Sequence, residues 1–436
     1  MKKFFTTIRN IFSIEDLRVR IMNTIGFLII FRLGSYVVLP GVDANLLAGN
    51  QGGLFDLLNT FLGGSFSRAS VFALGIMPYI SASIVVQLLT VAVPHFTKMQ
   101  KEGESGRKKL NQFTRVLTIA ITAAQSYGYL RTTINEEAII NPGLFFVVSS
   151  IIILVAGTMF CMWLGERITD KGIGNGISML IMIGIVSRFP AAIWQEMDAK
   201  GMNGALLFII ELLTLFFVVV GVIALTQATR RIPVQYAKQV VGNKLYGGKR
   251  DFIPLKLNSA GVMPIIFAQA LMFIPPLLAG IWRDSDIGAY VGSTFADFTS
   301  WQYNLLFAIL ILLFTFFYTA ITVPSNDIAD NLKRNGGFVP GIKPGKQTAE
   351  FIDGILSKIT LPGAILLAVV AILPAFAVRA GVTQNFAHFY GGTSLLILVG
   401  VILDTLQQIE SYLLMRHYEG MMKSGRVKGR SQFAAA

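Results

Sequence analysis

Ten apolar runs, each close to the length of a bilayer-crossing helix, leave this 436-residue chain few ways to fold. They lie at roughly 21–39, 72–92, 114–133, 145–164, 173–189, 205–225, 260–281, 304–323, 359–378 and 394–415. A hydrocarbon core about 30 Å thick takes about 20 apolar residues of helix. The pattern predicts an all-α integral membrane protein with ten transmembrane helices. Composition agrees: 53% of residues are hydrophobic and 14% charged, far too apolar for a soluble multidomain enzyme. The fifth run is short and glycine-led. The sixth carries Glu211 and the tenth Asp404. Prolines interrupt the seventh (Pro264, Pro275, Pro276) and the ninth (Pro362, Pro374).

Charge sets the topology. The N-tail, the segments 93–115, 165–171, 226–258 and 324–358, and the C-tail hold 30 of the 37 Lys and Arg residues. Positive residues favour the cytoplasmic side, so both termini are expected there. An even number of spans agrees. The net charge of +13 is first a topology signal. Two halves are expected, 1–190 (spans 1–5) and 191–436 (spans 6–10). The join is placed in an outer loop near 188–204, and an odd number of spans per half fits an inverted repeat.

The chemistry of an enzyme is hard to find. Cys161 is the single cysteine, and His95, His388 and His417 are far apart in sequence. No HExxH, GxSxG or GxxxxGK[ST] pattern occurs, so no catalytic residue, cofactor or metal site is expected. No cleavable signal peptide is expected either. Gly172, Gly174 and Gly176 mimic part of a phosphate loop, but no strand precedes them and no GK[ST] follows. Close helix approach or a sharp entry into the fifth span is the plainer reading.

Three regions exceed what spanning a membrane requires. The stretch Ala73–Leu89 is uncharged yet contains Pro78, Ser81, Ser83 and Gln87. Ile76 and Ile80 are four apart and share a helix face. Such a helix either packs among others or lines a pathway. The segment Leu54-Phe55-Asp56-Leu57-Leu58-Asn59-Thr60-Phe61-Leu62-Gly63-Gly64 is helix-like but too short to cross, so it is re-entrant or interfacial. The cytoplasmic segments read Lys101-Glu102-Gly103-Glu104-Ser105-Gly106-Arg107-Lys108-Lys109, Arg230-Arg231-Ile232-Pro233-Val234, and Gly341-Ile342-Lys343-Pro344-Gly345. Two of them are longer than simple connections, and their Pro and Gly content suggests ordered hairpin tips. The bland alternative is solvated basic loops that only set topology.

In wording and order these stretches resemble the SecY/Sec61α family of protein-conducting channels. The carriers are ALGIMPYISASIVVQLL, KEGESGRKKLNQFTR, GERITDKGIGNGIS (165–178), ADNLKRNGGFVPGIKPGKQT (329–348) and GGTSLLILVGVILD (391–404). The resemblance implies two pseudo-symmetric halves forming a clamshell channel with a lateral gate. It implies a pore ring at Ile76, Ile80, Ile177, Ile181, Ile266 and Ile397, and a plug at 54–64. It further implies a polar cluster at the gate formed by Ser81, Gln125 and Asn258, between spans 2 and 7. Residue reading adds that Ile177 and Ile181 repeat the four-residue spacing, and that a narrow apolar constriction dewets and blocks ions. For any one isoleucine, lipid or core packing is the plain alternative. For each gate residue it is a hydrogen bond within its own helix.

The implied activity is passive conduction. Unfolded secretory polypeptides cross the bacterial plasma (inner) membrane, and signal sequences and membrane helices leave sideways into the lipid bilayer. The implied partners are the membrane subunits SecE and SecG, the SecA ATPase and a translating ribosome. Arg230, Arg231, Lys343, Pro344 and Gly345 are the expected cytoplasmic contacts. Lys343 departs from the family's usual arginine and lacks its planar fork. A secondary transporter of a small solute is the alternative, with Glu211, Asp404 and Glu410 as its few carboxylates. An intramembrane hydrolase lacks a nucleophile–base pair.

Overall fold

The computed structural model describes residues 14–43, 46–47, 59, 62–134, 136–201, 204–236, 238–241, 244–247, 250–272, 290–291, 294–295 and 297–423. A helix lies at each of the ten predicted runs. They are α1 (Glu15–Gly34), α2 (Met77–Ala92), α4 (Glu104–Thr132), α5 (Leu144–Lys171), α6 (Gly176–Lys200), α7 (Ala205–Gln227), α8 (Met263–Leu271), α9 (Trp301–Thr322), α11 (Lys346–Arg379) and α13 (Gly392–Lys423). Shorter helices are α3 (Pro94–Lys101), α10 (Ser325–Arg334) and α12 (Gln384–Ala387). Among the described residues six helices are long and apolar enough to cross a membrane, and α2 with α3, bent by 99°, makes a seventh candidate.

Two boundaries differ from the sequence reading. The second run was expected to be helical from residue 72. Helix α2 begins at Met77, with Ile76 as its N-cap and Pro78 in the first turn. Proline favours that place because its missing N–H is not needed there, so Pro78 starts the helix instead of interrupting it. The expected loop near 188–204 is helical as far as Lys200, through Pro190. Ala191, Ala192, Glu196, Met197 and Ala199 are good helix formers, and they carry the helix past the apolar stretch.

The chain forms two compact units. The first holds the described residues within 1–51, 58–188 and 400–436, the second those within 189–399. Both boundaries fall inside helices, α6 and α13. Residues 400–423 thus belong with the N-terminal unit, although they come late in the chain.

In the first unit α4 packs against α2 and α5, and α1 against α5. Leu62, Phe66, Ala73, Leu74, Tyr129, Leu130 and Leu154 are central to its core. The segment 62–76 enters this core as a series of turns, and Tyr129 Oη donates to the Phe66 carbonyl at 2.6 Å. Small residues set the approach. A Cβ on Gly157 would meet the Val71 carbonyl oxygen at 2.2 Å.

In the second unit the segments expected as basic loops fold together. β1 (Thr229–Tyr236) pairs antiparallel with β4 (Arg250–Lys256) and with β5 (Gly337–Phe338). A separate hairpin joins β2 (Lys238–Val241) to β3 (Lys244–Gly247). Alternation along β1 puts Ile232 and Val234 on one face. They pack with Leu255, Leu332, Val339, Ile352 and Leu356. Segment 324–358 is therefore largely α10 and the start of α11, not a loop. Helix α11 has 34 residues, about 51 Å at 1.5 Å per residue, well beyond a bilayer core of about 30 Å.

Candidate functional site

The glycine motif before α6 is a hub. The hydroxyl of Thr24 in α1 accepts from the Ile173 N–H (3.0 Å), and Gln408 Oε1 in α13 accepts from the Gly174 N–H (2.8 Å). The hydroxyl of Thr169 in α5 accepts from the Gly176 N–H (2.9 Å). Asn175 Oδ1 accepts from the N–H groups of Ile177 and Ser178, at 3.1 and 3.3 Å, and so caps α6. Arg20 Nη1 donates to the Gly172 carbonyl at 3.4 Å. Gly174 has φ +83°, and a Cβ on Gly176 would lie 1.9 Å from the Gly165 carbonyl oxygen. Helices α1, α5, α6 and α13 are thus tied at one five-residue turn. The close-approach reading of these glycines was right.

Ile76 and Ile80 are buried, and the Ile80 N–H reaches the Ile76 carbonyl at 3.1 Å. Ile181 is buried, while Ile177 is half-buried at the entry of α6, beside Gly165. These four belong to the first unit. Ile266 on α8 and Ile397 on α13 belong to the second, half-buried and buried respectively. A buried hydrogen bond joins their helices: Thr393 Oγ1 donates to Gln269 Oε1 at 2.7 Å. Gln269 is one turn after Ile266 and Thr393 one turn before Ile397. Both isoleucines therefore flank that bond on adjoining helices.

Of the polar cluster, Ser81 donates to the Met77 carbonyl of its own helix at 3.2 Å. Gln125 is exposed on α4. Asn258 is buried, and its Oδ1 has no hydrogen-bond partner. Leu54, Phe55, Asp56, Leu57, Leu58, Thr60 and Phe61 lie outside the described residues. Asn59 is helical, whereas Leu62, Gly63 and Gly64 form a turn, the two glycines at φ +63° and +87°. Arg230 and Arg231 are exposed on β1, opposite Leu255 and Pro254. Lys343 and Pro344 are exposed at the tip before α11, between Gly341 (φ +84°) and Gly345 (φ +102°). The tip is pinned by Thr348 Oγ1, which donates to the Lys343 carbonyl at 2.9 Å. Asp404 and Glu410 are exposed.

Sequence reasoning missed two ionic sites. Arg115 Nη2 contacts both carboxylate oxygens of Glu166, at 2.8 and 2.9 Å, linking α4 to α5. At the far end of α6, Lys200 Nζ lies 2.7 Å from Glu211 and 3.6 Å from Glu196. It also donates to the Gly381 carbonyl at 2.9 Å. Glu196 is fully buried and accepts from both the N–H and the hydroxyl of Thr383. The Tyr390 hydroxyl donates to the Glu211 carbonyl at 2.7 Å. An acidic residue in an apolar helix was the available signal for Glu211. The i, i+4 spacing was the signal for Glu196 and Lys200.

Known proteins decide the family. The family model for SecY matches residues 70–406. The chain belongs to the SecY family. The protein translocase subunit SecY of Streptomyces coelicolor is 42% identical over 439 positions, covering 96% of this chain and 100% of the relative. The one from Corynebacterium glutamicum is 40% identical, covering 94% and 98%. Among solved structures, one described as a protein conducting channel has a TM-score of 0.63 at 15% identity, covering 90% of this chain and 92% of the other. A SecY structure described by a plug domain that stabilises the closed channel and maintains the membrane seal scores 0.61, with the same identity and coverage. The Sec61 chain of a canine ribosome–channel complex from the endoplasmic reticulum scores 0.59, again at 15% identity, covering 90% and 92%. The fold is that of the SecY channels, and the chain is a multi-pass membrane protein.

Proposed function

We infer that this SecY-family chain is the protein-conducting channel of a bacterial plasma-membrane translocase, with both termini cytoplasmic and two halves meeting near residue 190. Unfolded polypeptide passes along a pathway sealed by Ile76, Ile80, Ile177, Ile181, Ile266 and Ile397. The segment 54–64 acts as plug. Apolar signal helices leave between α2 and α8, past Ser81, Gln125 and Asn258. The observation that carries this reading is the character of the six isoleucines. Four are under a tenth exposed, and no charged residue lies within a turn of any of them. A bare ion loses its hydration in such a constriction at a cost of several kcal/mol.

Energy comes from partners. SecE and SecG flank the chain in the membrane, while SecA and the ribosome engage the cytoplasmic face. The exposed cations of the β-sheet and of the tip at Lys343 are built for that role. The Ile232 and Val234 face packs with α10 and α11, which holds Arg231 outward on the opposite face, while Arg230 is exposed at the start of the strand.

A cross-link tests the gate. With Cys161 replaced, cysteines at Ser81 and Asn258 should be bridged by a bifunctional reagent, and export into proteoliposomes should stop until the reagent is cleaved. Export that continues through a completed bridge places the exit elsewhere.

A further inference from the structure

At the end of α1 two cations stand together, with no counter-charge among the described residues. Arg32 Nη1 and Arg68 Nη2 both donate to the carbonyl of Gly63, at 3.3 and 3.2 Å. Both guanidinium groups also lie over the Tyr36 ring, at 5.5 and 4.2 Å from its centre, and Arg32 Nη2 donates to the Tyr36 hydroxyl at 3.4 Å. Arg68 Nη1 is buried and has no hydrogen-bond partner. Among the described residues no carboxylate lies within ion-pair distance of either arginine. One carbonyl and one phenol do not balance two guanidinium groups, which carry five N–H donors each. Paired arginine forks of this kind suit an anion with several oxygens.

Position selects the anion. Helix α1 has 20 residues, about 30 Å of length. Arg32 sits in its last turn, at the depth where the headgroups of one leaflet begin. Met22, Ile25, Ile29 and Leu33 are exposed at three- to four-residue spacing, and exposed Tyr36 continues the stripe. That is a lipid-facing surface ending in an interfacial tyrosine. Resting on the membrane-spanning reading of α1, we propose that Arg32, Arg68 and Tyr36 form a binding site for the phosphodiester of an anionic phospholipid, whose acyl chains lie along this stripe. Because both arginines hold the Gly63 carbonyl, a bound headgroup also steadies the turn at the base of the 54–64 segment.

The test uses the purified translocase complex in nanodiscs, with phosphatidylglycerol, phosphatidylcholine or free inorganic phosphate as probe. Retention of phosphatidylglycerol on progressive delipidation is followed by native mass spectrometry. Arg32→Gln and Arg68→Gln, measured separately, should each weaken retention about tenfold, the order lost with one charge-assisted contact. Arg68→Lys should recover part of it. Lys108→Gln, which removes one exposed charge elsewhere, should leave retention unchanged. Because a substituted complex can lose structure, each variant is also checked by thermal unfolding in phosphatidylcholine alone, where it should match the parent. Equal retention by parent and both glutamine variants overturns the proposal. So does stabilisation by inorganic phosphate as large as that by phosphatidylglycerol, which would make the site a soluble-anion site.

Discussion

The two ends of α6 are fastened by different physics. At its start, the Gly172–Gly176 turn is tied to α1, α5 and α13 by dipoles matched one to one: the N–H groups of Ile173, Gly174 and Gly176 each meet one hydroxyl or amide oxygen. At its finish, two carboxylates and one ammonium cluster, Glu196 buried and Glu211 and Lys200 half-buried, with side-chain exposures of 0%, 12% and 15%. Neutral ties are nearly independent, and each is modest. Buried ions are shared, so removing one strands the others. The first end should tolerate polar changes and resist added bulk. The second should behave the opposite way.

The largest effect is expected at the ionic end. Lys200→Met leaves buried Glu196 and half-buried Glu211 side by side without their cation, and the cost should approach, from below, the roughly 3–5 kcal/mol of breaking a fully buried pair. Thermal unfolding of the purified complex should show that loss. Adding Glu211→Gln to Lys200→Met should restore part of it, because one stranded charge is gone. If the double variant is no better than the single, the cluster is not coupled as described.

Next comes bulk at the neutral end. Gly176→Ala places a methyl group against the Gly165 carbonyl, where backbone must move, at about 1–3 kcal/mol or more. Gly201→Ala serves as a contrast. No atom lies within 4 Å of its added methyl group, so only the left-handed φ of +58° counts against it. A Gly176→Ala complex as stable as the parent would mean that the helices can separate at this turn.

Smaller still are the single dipoles. Thr24→Val leaves the buried Ile173 N–H without its acceptor, about 1–3 kcal/mol. Gln408→Leu should cost less, since Gln408 is exposed and water can replace it. A Gln408→Leu loss as large as that of Lys200→Met would erase the distinction between the two ends.

The smallest stability effect belongs to the cytoplasmic tip. Lys343→Glu alters an exposed side chain and should stay within about 0.5 kcal/mol. The proposed binding to SecA and ribosomes should nevertheless weaken, with a shallower loss as salt rises, because one attractive charge contact is gone. Unchanged affinity in co-sedimentation would remove Lys343 from the docking surface.

This contrast also explains what was legible in the sequence. The ten helices were, because apolar length reports the bilayer directly. The glycine turn was legible as a close approach, because glycine spacing is local. Its partners Thr24 and Gln408 were not, since they come from opposite ends of the chain. The Glu196–Lys200–Glu211 cluster was half legible. Glu211 stood out in an apolar run, but its partners sat in a stretch taken for a loop, where the apolar count stops and helix propensity continues. The basic loops were read for charge, and Ile232, Val234 and Val339, which make them a folded layer, were too few to signal a core. Sequence spacing grouped the isoleucines in pairs. The link between the helices of Ile266 and Ile397 runs through Gln269 and Thr393, which no spacing rule connects.

The central claim is that these isoleucines are the seal. Ion conductance across planar bilayers containing the reconstituted complex tests it most directly. Ile80→Ser with Ile181→Ser should conduct ions well above the parent, because a polar ring stays wet, and deletion of 54–64 should raise the current further. A serine-substituted channel that stays as tight to ions as the parent, even with 54–64 deleted, would contradict the account.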